Sequence, residues 1–291
     1  MDKQFEQYYH QIRSKQKRDT LMWSGLLVLL YLSSGYVAEF SLSKILTSAP
    51  NFFDYLADTI PVLKWDVLFA GRDANGHAIE GSLVYWGYRL PIQLPLLWET
   101  FCVAMAATVV SAIIATILAF FAANNTYAPA SVRWAVRGFV AFLRTMPELA
   151  WAVMFVMAYG VGALPGFIAL ALHTVGSLTK LFYESIETAS MEPVRGLRAC
   201  GSNRWENVRF GLWPQVKPIF MSYSFLRLEI NFRSSTILGL VGAGGIGQEL
   251  MTNIKLDRYD QVSITLILII IVVSALDSLS GHLRNKVLKE S

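Results

Sequence analysis

Residues 184–214 read ESIETASMEPVRGLRACGSNRWENVRFGLWP and separate two apolar runs of the chain. This stretch, the polar segment, carries too many arginines and glutamates to lie in lipid. Its apolar residues Leu197, Trp205 and Val208 recur at about helical spacing, which predicts a short amphipathic helix outside the bilayer. Gly201 lies near the middle and favours a break in that helix. Such an ordered pattern predicts a docking surface for another protein rather than a simple connector.

Composition places the chain in the membrane. It has 291 residues, of which 54% are apolar and 16% are charged, and its mean hydropathy is +0.43. These values are typical of an all-α integral membrane protein. The two cysteines, Cys102 in an apolar run and Cys200 in the polar segment, argue against a disulfide framework. The net charge of +4 is small, so we expect no nucleic-acid partner.

Six apolar runs are long enough to cross a bilayer as helices. Most of the lysines and arginines outside these runs lie in the N-terminal segment 1–20, the polar segment and the tail 283–291. Because cytoplasmic loops carry the excess of basic residues, we expect both termini and the polar segment in the cytoplasm. The predicted spans are residues 21–40, 97–123, 139–161, 166–183, 218–240 and 261–282.

The region 41–96 is mixed in composition and has turn signals at Ala49-Pro50 and at residues 71–76. We expect an extracytoplasmic segment of short helices and loop. Its aromatic residues, Trp65 and Trp86 among them, suit an interfacial belt, and a packed extracytoplasmic core is the alternative. Farther along, the sequence GALPG at 162–166 predicts a tight turn between two spans.

The polar segment resembles a loop of bacterial ABC importer permeases. In that family Glu-Ala-Ala is followed by three residues, a glycine, nine residues, and then a hydrophobic residue, any residue and Leu-Pro. Here residues 195–197 stand three residues before Gly201, and residues 211–214 follow after nine more. The spacing, Gly201 and Pro214 match the family, whereas Arg195 stands where the family has its glutamate.

The resemblance extends from about Leu97 to the C-terminus and is nearest to phosphonate-type permeases. It rests on LALHTVGSLTKLFYESIE before the polar segment and on LWPQVKPIFMSYSFLRLEINFRSSTILGLVGAGGIG from residue 212 onward. It implies a bacterial inner-membrane importer core at 97–282, with a coupling segment at 185–214. It also implies a second copy of the chain, two cytoplasmic ATPase subunits and an extracytoplasmic substrate-binding protein. The coupling residues it implies are Glu192, Arg195, Gly196, Arg198, Ala199, Gly201, Trp205 and Pro214.

Residues 223–236, YSFLRLEINFRSST, place polar side chains in the predicted fifth span. A helix with this pattern cannot face lipid all round, so we expect it to line the permeation path. Guanidinium groups suit a phosphonate because they present paired donors to two oxygens. Hydrogen bonding between helices is the alternative for this span and the favoured role for His173. The predicted path residues are Arg227, Glu229, Asn231, Arg233, Ser234 and His173.

Three opposite-charge pairs at i,i+4 spacing are predicted to share a helix face: Arg144 with Glu148, Lys180 with Glu184, and Glu229 with Arg233. The run from Arg144 to Pro147 resembles a family segment near the inner gate. Residues 242–247 satisfy G-x-G-x-x-G, but they follow a span instead of a strand. We therefore expect a bend there and no dinucleotide site. The predicted gate and hinge residues are Arg144, Pro147, Gly242, Gly244, Gly245 and Gly247.

Cofactor chemistry has no support in the sequence. The histidines and cysteines lack metal-ligand spacing, and no G-x-x-x-x-G-K-[ST] motif is present, so ATP and Mg²⁺ are expected on the partner ATPase. The predicted function is a permease subunit for a phosphonate, phosphite or phosphate, without covalent chemistry. The alternatives are an importer of another small solute such as methionine, a secondary transporter or channel, and a membrane enzyme. Paired broken helices and a convergent catalytic set, which the last two classes need, are not visible.

Overall fold

The computed structural model describes residues 2–37, 41–73 and 78–289. In those ranges every regular element is a helix, which confirms the all-α prediction. Arg72 and Ala78 form a single isolated β-bridge. The chain divides into two units, Met1–Ala57 and Asp58–Ser291. Each unit is described by itself.

The first unit consists of helix α1, Asp2–Val37, and most of helix α2, Leu42–Thr59. The polar N-terminal residues and the predicted first span form one continuous helix, because no proline interrupts them. Within α1, the stretch Ile12–Val37 contains an apolar window that is long enough to cross a bilayer. The last residues of the predicted span, 38–40, lie outside the described part of the chain.

The second unit contains a 3₁₀ turn and the remaining helices. After the turn at Trp65–Val67 come α3 (Leu83–Trp86), α4 (Leu90–Ala122), α5 (Ala130–Thr145), α6 (Glu148–Tyr159) and α7 (Ala163–Thr188). Next are α8 (Glu192–Ala199), α9 (Arg204–Glu206), a π-helical stretch (Asn207–Leu212), α10 (Trp213–Gly239), α11 (Gly245–Lys255) and α12 (Tyr259–Lys289).

Helix α4 packs along α7 through a face of small residues. Ala104, Ala107, Ala115 and Ala119 on α4 are fully buried. Small side chains let two helix backbones approach closely, which is how membrane helices gain packing energy. The helix begins at Leu90, seven residues before the predicted start, because a proline in the first turn needs no backbone donor.

The predicted span 139–161 is divided into two helices. Helices α5 and α6 meet at an angle of 83°. Met146 between them is extended, with φ −74° and ψ 125°, because the ring of Pro147 disfavours helical backbone in the preceding residue. The prediction that Arg144 and Glu148 share a helix face is therefore wrong. The pairs Lys180–Glu184 and Glu229–Arg233 do form.

Glycines make two tight turns that join long helices of the second unit. Gly160 and Gly162 have φ of 83° and 151° and connect α6 to α7. The turn predicted at 162–166 therefore exists but lies at residues 160–162, because Pro165 is tolerated in the first turn of α7. Gly242, Gly244 and Gly245 have φ of 93°, 80° and 70° and turn the chain from α10 into α11. A left-handed backbone is free of steric cost only for glycine, which explains why glycines occupy these positions. The bend predicted at 242–247 is confirmed.

Helices α10 and α11 touch backbone to backbone. A β-carbon on Gly247 would lie 1.9 Å from the carbonyl oxygen of Thr236, so no larger residue fits there. Helix α11 itself was not expected from the sequence, which suggested only a connection between two spans. Arg89 also forms a hydrogen bond with α11, donating from Nε to Glu249 Oε1 at 2.9 Å. Burial opposes the charged form of Arg89, but the hydrogen bond and charge of Glu249 raise its pKa.

In the described residues four helices are long and apolar enough to span a bilayer, and the bent pair α5–α6 makes a fifth if it is one span. The predicted fifth span, 218–240, does form a helix. That helix, α10, is less apolar because Arg227, Glu229 and Arg233 lie in it. Helix α10 begins five residues before the predicted start, so Pro214 and Pro218 both lie inside it.

Candidate translocation and coupling sites

One face of α10 is joined to α4 and α7 by buried side-chain hydrogen bonds. Asn231, which is fully buried, accepts at Oδ1 from the hydroxyl of Thr174 at 2.9 Å. Its amide donates at 2.9 Å to the hydroxyl of Thr108 on α4. The Thr108 hydroxyl donates in turn to the carbonyl of Ala104 at 2.7 Å. Asn231 thus ties three helices together, as interhelical hydrogen bonds do in membranes.

Charged residues extend this group toward α6. Arg227 donates to Thr174 Oγ1 at 3.3 Å and to His173 Nδ1 at 2.8 Å. Because a guanidinium has no acceptor, Nδ1 of His173 is the acceptor and is unprotonated in this arrangement. Glu148 accepts from the hydroxyl of Ser234 at 2.6 Å, and its other carboxylate oxygen lies 3.4 Å from His173 Nδ1.

These residues form one interhelical polar network in which the negative charge of Glu148 interacts with the positive charge of Arg227. Such a network is stable in a low-dielectric interior only when its charges and donors are matched. One oxygen of Glu148 is buried without a hydrogen bond in the described part of the chain. The network consists of Thr108, Glu148, His173, Thr174, Arg227, Asn231 and Ser234.

The other polar residues of α10 lie on a different face. Glu229 and Arg233 form an ion pair with each other, one helical turn apart. The side chain of Glu229 is 10% exposed, whereas that of Arg233 is 51% exposed. Helix geometry explains the separation, since residues 227, 231 and 234 follow i, i+4, i+7 spacing and Glu229 and Arg233 are offset from them. The predicted path residues therefore fall into two groups, the network and this ion pair.

Within the polar segment, α8 rests on the π-helical stretch through Val194. Val194 is 3% exposed, and its Cγ2 lies 2.8 Å from where a β-carbon on Gly211 would stand. A larger residue at 211 would push α8 away. The burial of Val194 leaves an outward surface on α8 that includes these residues of the predicted coupling set: Glu192, Arg195, Gly196, Arg198 and Ala199.

Gly201 divides the polar segment, as its sequence predicts. It has φ 85° and lies between α8 and α9. Asn203 and Glu206 then form a capping box that starts α9, with hydrogen bonds of 2.8 and 2.9 Å. Trp205 on α9 is 69% exposed. Pro214 falls in the first turn of α10, where the absence of an amide hydrogen costs nothing.

Tyr127 and Glu187 connect the polar segment to the helices before it. The hydroxyl of Tyr127 accepts from Arg198 at 2.8 Å and from Asn207 at 3.0 Å. Glu187, at the end of α7, forms an ion pair with Arg137 of α5 and accepts from the amide of Asn124 at 2.7 Å. The polar segment is therefore held to the connection between α4 and α5.

The predicted gate residues lie at the two ends of α6. Arg144 is exposed at the end of α5, and Pro147 precedes α6. The glycines of the α10–α11 turn meet the other end, where the amide of Gly162 donates to the carbonyl of Gly242 at 3.0 Å. At 1.5 Å per residue, the 12 residues of α6 separate the two groups by about 18 Å.

Sequence reasoning missed four residues of these sites: Thr108, Glu148 as a network member, Thr174 and Tyr127. Only Glu148 had a visible signal, because it is an acid inside a long apolar run. The two threonines look like ordinary small residues of membrane helices. Among the described residues no group of histidine, cysteine or acidic side chains is arranged to hold a metal ion.

Comparison with known proteins identifies the family. Residues 115–289 match the binding-protein-dependent transport system inner membrane component family. The phosphite transport system permease protein PtxC of Stutzerimonas stutzeri is 40% identical over 198 residues, 68% of this chain and 71% of that protein. The phosphate-import permease protein PhnE of Mycolicibacterium smegmatis is 36% identical over 193 residues, 66% of this chain and 36% of PhnE.

A solved structure supports the fold. A chain of the inward-facing MetNI methionine ABC transporter superposes with a TM-score of 0.60 at 18% identity, covering 69% of this chain and 98% of that one. The family match, covering more than half of the sequence, agrees with the helical architecture. The chain therefore belongs to the binding-protein-dependent inner membrane components, as a multi-pass permease subunit of an ABC importer and not itself an enzyme.

Proposed function

We propose that this chain forms the membrane path of an ATP-driven importer for a phosphorus oxyanion such as phosphite, a phosphonate or phosphate. Its relatives are named for phosphite transport and phosphate import, and their identities of 40% and 36% support the same cargo class here. The importer would contain two copies of this chain, two cytoplasmic ATPase subunits that bind ATP and Mg²⁺, and an extracytoplasmic substrate-binding protein.

The path assignment rests on the exposure of the Arg233 side chain. This side chain is about half exposed on a helix whose other polar face is satisfied inside the chain. A guanidinium offers paired donors to two oxygens of a phosphorus oxyanion. Glu229 keeps the net charge beside it near zero, so an anion would be attracted weakly and released quickly. In this proposal Arg233 contacts the cargo, and Arg227, Asn231, Ser234 and His173 hold α10 in place.

We further propose that the polar segment receives the movement of the ATPase. The exposed side of α8 supplies the docking surface, and Gly201 permits the turn toward Trp205. Val194 and Gly211 would transmit displacement of α8 directly into the helical stretch that continues as α10. In this proposal residues 1–20, the polar segment and the tail 283–291 lie in the cytoplasm, as the excess of basic residues in these segments favours.

The ends of α6 are the proposed hinges. Pro147 interrupts the helix at one end, beside Arg144. The glycine turn at 242–247 contacts the other end through Gly242. Because both ends are flexible joints and the helix between them is rigid, α6 would tilt as a unit when the importer changes between its inward-open and outward-open states.

Uptake by cells lacking this chain tests the proposal. Cells with and without the chain, starved for phosphorus or methionine, would be given labelled phosphite, a phosphonate, phosphate or methionine. The expected result is loss of uptake for one phosphorus compound, restored by the wild-type gene. Loss of methionine uptake alone would reject the cargo and keep the importer. If uptake of all four compounds is unchanged and the chain does not co-purify with an ATPase, the importer is rejected in favour of a channel or secondary transporter.

A further inference from the structure

An apolar groove opens beside the end of α4. It has a volume of about 820 Å³. Its floor is formed by the last turns of α4, with Ile117, Phe120 and Phe121, and its far wall includes Val208 and Trp213. Ile117 and Phe121 are 56% and 48% exposed, so nothing in the described part of the second unit fills the groove. None of the proposed path residues lines it, and of the predicted coupling residues Trp205 alone does so in the described part of the chain.

Two arginines stand at the mouth of this groove. Arg204 lies over the ring of Tyr127 at 5.3 Å, and Arg209 lies over the ring of Phe210 at 5.5 Å. Among the residues described by the structure, neither guanidinium has a carboxylate within ion-pair distance, and Glu206 is engaged in the capping box with Asn203. The groove is therefore apolar inside and positively charged at its edge.

The position of the groove relative to the bilayer follows from α4. This helix is the second apolar span and has 33 residues, whereas about 20 residues cross the hydrocarbon layer, so its last turns extend to the interface or beyond it. Trp205 and Trp213 also line the groove, and tryptophan side chains are enriched at membrane interfaces. An apolar cavity that meets basic and aromatic side chains at this depth matches the division of a phospholipid into acyl chain and headgroup.

We propose that the groove binds an anionic phospholipid, with one acyl chain against Ile117 and Phe121 and the headgroup phosphate between Arg204 and Arg209. Charge complementarity selects an anionic over a zwitterionic lipid, because two guanidinium groups attract a phosphate and repel the ammonium group that a zwitterionic headgroup carries beside it. The bound lipid would fill the space between the end of α4 and the polar segment. The proposal does not depend on the identity of the cargo.

Native mass spectrometry of the full-length importer complex in detergent tests this site. Phosphatidylglycerol or phosphatidylethanolamine would be added in increasing amounts and bound lipid counted. The wild type is expected to retain phosphatidylglycerol preferentially. The double substitution Arg204→Gln with Arg209→Gln should weaken that retention about twenty-five-fold, at about fivefold for each basic residue. Arg258→Gln, an exposed arginine outside the groove and outside the coupling surface, is the matched control and should retain phosphatidylglycerol like the wild type.

A second variant separates the groove from simple surface charge. Ile117→Trp fills the cavity and keeps both arginines, so it should also lose phosphatidylglycerol. Equal retention by wild type and the double variant, or full retention by Ile117→Trp, would overturn the proposal. A third result would also overturn it: added ATPase displaces the lipid, and the double variant no longer co-purifies with the ATPase. The groove would then be an ATPase contact.

Discussion

The two polar faces of α10 use similar residues in different ways. On one face Arg227 donates hydrogen bonds to Thr174 and His173 of α7 and interacts with the charge of Glu148 on α6. On the other face Arg233 has Glu229 of its own helix as ion-pair partner and leaves half of its side chain exposed. An arginine with partners on neighbouring helices stabilises packing, whereas one held within its own helix can contact a solute without disturbing the fold.

The largest effect is expected from Glu148→Gln. The substitution removes the negative charge that offsets Arg227 and keeps the size of the side chain. Glu148 and Arg227 interact through their charges without an ion-pair contact, so the cost should reach at most the roughly 3 kcal/mol that breaking a buried pair costs. We expect a lower melting temperature and a lower yield of folded chain. A variant as stable as the wild type would show that Arg227 needs no carboxylate and would break the distinction between the two faces.

Asn231→Leu should cause the next largest loss of stability. The amide bonds Thr108 and Thr174 at once, so its loss leaves a buried donor and a buried acceptor unsatisfied on two other helices, at a cost of about 2 kcal/mol. Thermal unfolding in detergent measures the loss. Thr116→Val is a suitable control, because the hydroxyl of Thr116 bonds only the carbonyl of Ala112 in its own helix. A smaller effect for Asn231→Leu than for the control would contradict the network.

Glu229→Gln sharpens the comparison through transport. Without the carboxylate, Arg233 would attract the oxyanion more strongly and release it more slowly. We expect a several-fold lower half-saturating cargo concentration and a lower maximal rate, with stability lowered by about 1 kcal/mol because Glu229 itself is buried. Uptake at a series of cargo concentrations measures both quantities. Weaker apparent affinity in this variant would place Glu229 in direct contact with the cargo and reverse the assignment.

The smallest effect is expected from Glu184→Gln. Its ion pair with Lys180 spans 3.5 Å between side chains that are 48% and 37% exposed. An exposed i,i+4 pair contributes about 0.3 to 0.5 kcal/mol, so melting temperature and uptake should stay near wild-type values. This variant is the matched control for Glu148→Gln, with the same substitution in an exposed setting. A loss as large as that of Glu148→Gln would mean that charge removal alone, not the network, lowers stability.

Most of the architecture could be predicted from the sequence, because apolar run length and glycine position act locally. The spans, the break at Gly201 and the turn at 242–247 are of this kind. The bend at Met146–Pro147 was missed because a long apolar run was weighted above the restriction that proline places on its neighbour. That bend carries Glu148 away from Arg144 and toward α7 and α10.

The division of α10 into two faces required the structure. The alternation of polar residues from 227 to 233 shows that the helix is unusual, but it does not say which neighbours each face has. Thr108 and Thr174 belong to the network only because α4 and α7 pack beside Asn231. The amphipathic pattern of the polar segment was predicted from Leu197, Trp205 and Val208. In the structure Val194 makes the buried contact of α8, whereas Trp205 is exposed on α9.

Arg233→Gln compared with Arg227→Gln tests the central claim most directly. Each variant importer would be assayed for uptake of the phosphorus oxyanion and for melting temperature at equal amounts of folded protein. We expect Arg233→Gln to melt like the wild type and to lose about tenfold or more in uptake, the loss of one charged hydrogen bond to the moving anion. Arg227→Gln should fail in stability instead. Wild-type uptake by a stable Arg233→Gln importer would contradict the assignment of this face to the path.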